Sequence, residues 1–148
     1  MRYLAIDLGD KRTGFAAGDD VVGLVQPISV VEAPTRALQL KASLKTIEEY
    51  GPNSVVIGLP FNMDGTEGPR AKLVRAFAAE LEAMLPKFPR VTLEFHDERL
   101  SSFAAEEKLN RTGRTHGEKK ALRDALAACA ILEDFLRVKR GADDPTDA

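Results

Sequence analysis

Three acidic positions stand where apolar secondary structure ends or packs, and they are the residues of this chain best suited to chemistry. Asp7 closes the apolar run Arg2 to Leu8 and shares its alternation with Tyr3 and Ala5. Glu98, beside Asp97, follows the alternating run Val91-Thr-Leu-Glu-Phe95. Asp124 lies among Ala121, Ala125, Ala127 and Ala128, small residues that let a helix approach a sheet and bring an acid towards the strand ends. A nearly dry acid cluster is costly unless it is protonated or holds cations. Oxygen-only ligands favour Mg²⁺ or Mn²⁺ over Zn²⁺. Each acid alone also has a plainer use: Asp7 as a turn or cap residue, Asp124 as the partner of Lys120 four residues earlier. Strict alternation from Val91 puts Asp97 on the apolar face, but the strand need not reach so far. Parity therefore leaves Asp97 and Glu98 both open.

The loop from Gly58 to Gly68 (GLPFNMDGTEG) is a second candidate. Its glycines permit positive φ and close approach of backbone N–H groups to a phosphate. Asn62 and Thr66 are suited to contact a sugar–phosphate backbone, and Arg70 begins the next helix. The same composition also makes an ordinary strand-to-helix loop. It is not a P-loop, because no Gly-Lys-Ser/Thr follows. The third group is cationic: Lys11 and Arg12 after the first strand, Arg99 beside the acids, and a run of Arg111, Arg114, Lys119, Lys120 and Arg123 against one acid, Glu118. Cations clustered near an acid-and-metal site fit a polyanionic substrate, although such a run is also a common solvated face. His96 and His116 read as strand-surface and loop residues, and Cys129 as a small packing residue on a helix.

The elements that must position these groups follow from periodicity. Arg2–Leu8, Thr13–Ala17 and Val21–Val31 read as strands, with Gly18-Asp19-Asp20 as a tight turn and Pro27 bending or breaking the third. Ala37, Leu40, Leu44 and Ile47 recur at helical spacing up to Gly51-Pro52. Ser54–Leu59 is a continuous apolar run, as in a strand buried on both faces. Val74, Phe77, Ala78, Leu81 and Leu85 mark a second helix closed by Pro86, and Val91, Leu93 and Phe95 a last strand. Ser101 or Ser102 caps a short helix to about Arg111, Gly113–Gly117 is a loop, and a long helix runs from about Glu118 to Arg140. The order βββ-α-β-α-β-α-α predicts an α/β fold: a mixed five-stranded sheet, three antiparallel strands then parallel ones, with helices on both faces.

Composition sets the bounds. At 148 residues, 44% apolar and 30% charged, the chain has the profile of one globular domain over residues 1–140. The remaining 141–148 read as an acidic, disordered tail. Net charge is −2, but without Asp143, Asp144 and Asp147 there remain 21 basic against 20 acidic residues, so a basic patch is compatible with the whole. A single cysteine leaves no intramolecular disulfide. The first ten residues lack the apolar run of a signal peptide and no stretch approaches a membrane span. The expectation is a cytoplasmic protein, monomer or homodimer, without a membrane partner.

Four segments in order, AIDLGDKRTGFAAGD, GLPFNMDGTEGPRA, DERLSSFAAEEKL and KKALRDALAACAILEDFL, resemble the YqgF family over nearly the whole chain up to about Arg140. That family comprises RuvC-like members of the RNase H-fold superfamily, described as pre-16S rRNA nucleases or Holliday-junction resolvase homologues. The resemblance implies an RNase H-like sheet, in agreement with the element order. It puts Asp7, Glu98 and Asp124 in the places of the family's three catalytic, metal-binding acids, choosing Glu98 where alternation did not. The chain departs from the pattern at Asp10, where a small residue such as Thr is commoner, at Gly18 for Ser, and at Phe61 for Leu. Asp10 adds negative charge beside Lys11.

The function so implied is a nuclease dependent on Mg²⁺ or Mn²⁺ that acts on RNA in maturing the 5′ end of pre-16S rRNA. Two ions are expected, with Asp7 bridging and Glu98 and Asp124 on one side each. Lys11, Arg12, Asn62, Arg70, Arg99, Arg114, Lys119 and Lys120 would hold the nucleic-acid backbone. The alternatives are a resolvase of branched DNA, which needs a symmetric dimer for paired cuts, and a non-catalytic RNA-binding assembly factor. An actin-like nucleotide-binding protein would need two such domains, for which 148 residues are too few.

Overall fold

The computed structural model describes residues 1–87, 89–98 and 116–143, with side chains in the last of these segments over 125–141. The elements are β1 (Arg2–Leu8), β2 (Arg12–Asp19), β3 (Val25–Glu32), α1 (Arg36–Tyr50), β4 (Ser54–Leu59), α2 (Pro69–Met84), β5 (Thr92–Asp97) and α3 (His116–Asp143). The sheet order is β3-β2-β1-β4-β5. The meander β1–β2–β3 is antiparallel, whereas β4 and β5 run parallel to β1. Parallel pairs need crossovers, and α1 and α2 supply them.

Alternation divides the sheet between two cores. Leu4, Ile6 and Leu8 of β1, with Phe15, Val55, Ile57 and Leu59, pack against Leu40 and Ile47 of α1 and Val74, Phe77 and Leu81 of α2. Tyr3, Ala5, Ala16 and Val56 face the other way, against Ala128, Ile131, Leu132 and Leu136 of α3. Each buried Leu, Ile or Phe contributes roughly 1.5–3 kcal/mol of transfer free energy. The small residues Ala5, Ala16 and Ala128, all fully buried, let α3 sit close to the sheet. Since odd positions of β1 face α3, Asp7 faces it too. All six residues of β4 are buried, which is why that strand reads as an unbroken apolar run.

Local signals place the helix ends. The Thr35 hydroxyl accepts from the Leu38 N–H at the start of α1, and Gly51, at φ 67°, ends it in the left-handed conformation that glycine adopts without a steric penalty. Pro69 opens α2, where its missing N–H costs nothing.

Several boundaries differ from the sequence reading. The β2–β3 turn is not Gly18–Asp20 but a longer excursion over Asp20–Leu24. Asp19 organises it, its carboxylate accepting the N–H groups of Val21 and Val22 at 2.9 and 2.6 Å. Local composition marked a turn, but the ladder continues through Asp19, so the chain reverses later. Pro27 does not break β3 but sits at an irregularity in it, on an edge strand where the register shifts between Phe15 and Ala16 and absorbs its missing donor. His116 and Gly117 lie in the first turn of α3 rather than in a loop, and the helix continues to Asp143. The short helix expected after Ser101 lies outside the described residues, as do 144–148.

Candidate functional site

The site forms at the C-terminal ends of β1, β4 and β5, on the face covered by α3. The parallel register Ile6↔Ile57 puts Asp7 beside Gly58, and Gly58 is in turn paired with His96. Asp7 is half-buried and lies opposite Gly14 of β2. Glu98 follows β5 directly, and its N–H donates to the Leu59 carbonyl at 3.2 Å, so the ladder carries its backbone two residues past His96. Asp7 and Glu98 are therefore two strands apart, more than about 10 Å between backbones at ordinary sheet spacing. The intervening strand contributes no side chain there.

Gly58 is what admits the Glu98 carboxylate. A Cβ at position 58 would lie 2.7 Å from Glu98 Oε2 and 2.6 Å from Ile131 Cδ1. Glu98 thus lies over the middle of the sheet, under α3, and burial raises its pKa. The Arg70 charge opposes that rise and Asp97 adds to it. The side-chain parity that sequence left open is decided by packing. Leu93 and Val91 join the core on the α1–α2 side, so odd residues of β5 belong to that face and the even ones, Glu94, His96 and then Glu98, to the other.

Asp124 belongs to α3, seven residues before Ile131 and four before Ala128. The C-terminal turns of α3 lie at the opposite end of the sheet: Lys139 hydrogen-bonds Tyr3, and Arg140 reaches Gly23. Its N-terminal turns consequently lead towards Asp7 and Glu98. The side chain of Asp124 is outside the described residues. Among the described residues no three His, Cys, Asp or Glu side chains form a metal-holding group.

The predicted substrate-binding residues divide into several groups. Lys11 is exposed at the tip of the β1–β2 turn, and Arg12 is half-buried at the start of β2. Arg70 is held at the exit of β1, donating to the Leu8 carbonyl at 2.8 Å and pairing with Asp10. Asn62 organises its own loop, its amide donating to the Thr66 hydroxyl at 3.0 Å while its backbone N–H bonds the Thr66 carbonyl. Arg99 and Arg114 lie outside the described residues. Lys119 and Lys120 are on the first turns of α3, their side chains likewise outside.

Sequence reasoning missed a tie between β5 and α3. His96, read as a strand-surface residue, faces α3 and donates from Nε2 to the buried carboxylate of Asp134, which also pairs with Arg137. Phe135 meets the His96 ring edge-on with centroids 6.0 Å apart. An acid inside the apolar stripe Ile131-Leu132-Phe135-Leu136 was the available signal. Cys129 is buried in the α3 core, as its apolar surroundings implied.

Residues 1–138 match the family model described as "RuvX: Holliday junction resolvase". This chain belongs to the RuvX family. RuvX relatives at high similarity bear the name "Putative pre-16S rRNA nuclease". One from Anaeromyxobacter sp. (strain Fw109-5) is 43% identical over 136 residues, covering 92% of this chain and 96% of the relative. Another, from Thiobacillus denitrificans, is 41% identical over 133 residues, covering 89% and 88%. The YqgF resemblance drawn from the four segments is thereby borne out. Among solved structures, Thermus thermophilus RuvC in complex with a Holliday junction substrate superposes with a TM-score of 0.58 at 18% identity, over 95% of this chain and 96% of that one. At that identity the likeness concerns the fold: this chain and RuvC share the RNase H-like sheet.

Proposed function

We propose that this RuvX protein is a divalent-metal-dependent nuclease that hydrolyses phosphodiester bonds in RNA, with 5′-end processing of pre-16S rRNA as its natural reaction in the cytoplasm. The observation that carries the reading is the placement of Asp7 beside Gly58 and of the Glu98 carboxylate over it at the strand ends. It is supported by 43% identity to a relative named for that activity.

The donor set fits a hard cation. Asp7, Glu98 and Asp124 offer only carboxylate oxygens, the preference of Mg²⁺ and Mn²⁺. Glu98 is desolvated enough to raise its pKa, so a bound cation would offset a cost that the fold otherwise bears. When bound, such a cation supplies an activated water and neutralises developing charge on the phosphate. The chain's own part is positional. Asp7 is fixed by its pairing with Gly14 of β2, Glu98 by its backbone bond to Leu59, and Ile131 of α3 packs beside the Glu98 carboxylate over Gly58. Lys11, Arg12 and Arg70 at the β1 exit would hold phosphates of the strand being cut.

Resolution of branched DNA is the second reading, favoured by the description of the family itself. Cleavage of end-labelled single-stranded RNA, precursor rRNA and a four-way DNA junction, each with Mg²⁺, Mn²⁺ or EDTA, tests both. Asp7→Asn is expected to reduce metal-dependent cutting at least 100-fold, the scale of losing a transition-state electrostatic group, with an unchanged melting curve. Preferred cutting of the junction would transfer the reading to DNA. Binding without any cutting, intact in EDTA, would mark a non-catalytic assembly factor.

A further inference from the structure

Arg70 already holds an anion, and that anion belongs to the protein. Its guanidinium divides between the Leu8 carbonyl, at 2.8 Å, and the carboxylate of Asp10. Asp10 stands at the tip of the turn Gly9–Arg12, closed by the Gly9 N–H on the Arg12 carbonyl at 3.0 Å. A Cβ at Gly9 would fall 2.5 Å from that carbonyl, so the turn is tight and Asp10 projects from a defined place. The pair is open to solvent, with Asp10 81% and Arg70 45% exposed. Leu8 directly follows Asp7, so the guanidinium is anchored one peptide from a strand-end acid. A cleft of about 260 Å³ opens beside it, with Gly9, Asp10, Arg36, Gln39 and Arg70 in its wall.

We propose that Asp10 stands in for a substrate phosphate: its carboxylate occupies the anion position on Arg70, and a nucleic-acid phosphate displaces it to dock beside Asp7 and Glu98. A carboxylate and a phosphate offer a guanidinium the same pair of acceptor oxygens. An exposed ion pair contributes little, so the exchange is cheap. The bond to Leu8 keeps Arg70 aimed when Asp10 leaves, so the anion position survives the exchange. Asp10 thereby sets the affinity: a polyanion that contacts Arg70 must compete with it, and released product is replaced by the resident carboxylate. This rests on the nuclease reading and adds to it a residue that tunes substrate affinity.

The test is equilibrium binding of the full chain to single-stranded RNA and to a four-way DNA junction, in EDTA, over a series of salt concentrations. The proteins are wild type, Asp10→Asn, Arg70→Met and the double variant. Asp10→Asn is expected to tighten binding about three- to ten-fold at low salt and to steepen the salt dependence by about one phosphate contact. In the Arg70→Met background the same change is expected to give less than about a two-fold gain, the residue of a general charge effect. Equal gains in both backgrounds, or none in either, overturn the proposal while leaving the nuclease reading in place. If neither wild type nor Asp10→Asn binds either nucleic acid, the nuclease reading falls and the proposal with it. Asp10→Thr, at the same exposed turn, is expected to shift affinity in the same direction and serves if the Asn variant misfolds.

Discussion

The surroundings of Glu98 resist its charged form. Burial raises its pKa, with the Arg70 charge opposing and Asp97 adding to the rise, so the fold disfavours the ionised carboxylate. Glu98→Gln is therefore expected to raise Tm by a few degrees in EDTA at pH 7. Mg²⁺ should raise the Tm of wild type and leave the variant unmoved. A variant that melts lower than wild type in EDTA would show that the carboxylate is structurally compensated, against this account. At this scale the sequence left Asp97 and Glu98 on equal terms. Asp97 and Glu98 are neighbours, and only the packing of Val91 and Leu93 on the α1–α2 side assigns the even residues of β5 to the α3 face. Arg70 was legible as a cation at a helix start. Its engagement with Asp10, sixty positions away, was not, because no local spacing encodes it.

Elements bring the site together through two close approaches. At Gly58, β4 gives up a side chain so that Glu98 and Ile131 meet above it. Both obstructing atoms are ends of flexible side chains, so Gly58→Ala should fold and displace the Glu98 carboxylate. The expected outcome is a loss of cleavage of at least 10-fold, the scale of a misplaced catalytic group, with Tm lowered by only a few degrees. Full activity in that variant would remove Glu98 from the site. At His96, β5 is tied to α3 through Asp134, which is only 6% exposed. His96→Ala would leave that carboxylate with Arg137 as its one side-chain partner among the described residues, at an expected cost of about 1–3 kcal/mol in urea unfolding. A change below about 0.5 kcal/mol would mean that solvent replaces the imidazole without loss. The strands, and α1 and α2, were readable because their periods are local and their ends carry Thr35, Gly51 and Pro69. The β2–β3 turn was not, because where a ladder stops depends on the partner strand.

Taken as a whole, the molecule is near neutral, with a net charge of −2, and must hold a polyanion through locally arranged cations rather than bulk attraction. RNA affinity in EDTA is accordingly expected to fall log-linearly with salt, with a slope of about −2 to −3, as three or four phosphate contacts on a single strand give. A slope near zero would exclude phosphate contacts as the source of affinity. No described helix is long and apolar enough to cross a membrane, consistent with a protein whose apolar residues go into two cores. The sequence by itself determined the mixed α/β architecture, the order of strands and helices, and, through four ordered segments, the family. These rest on periodicity and on short-range signals written along the chain. The tertiary structure alone decided that Gly58 is the opening through which Glu98 reaches the α3 face, that Arg70 is occupied by Asp10, and that His96 supports a buried acid rather than facing solvent. The physical reason is common to all three. Alternation states that successive side chains point to opposite faces, but what stands on each face is set by chain closure between residues tens of positions apart.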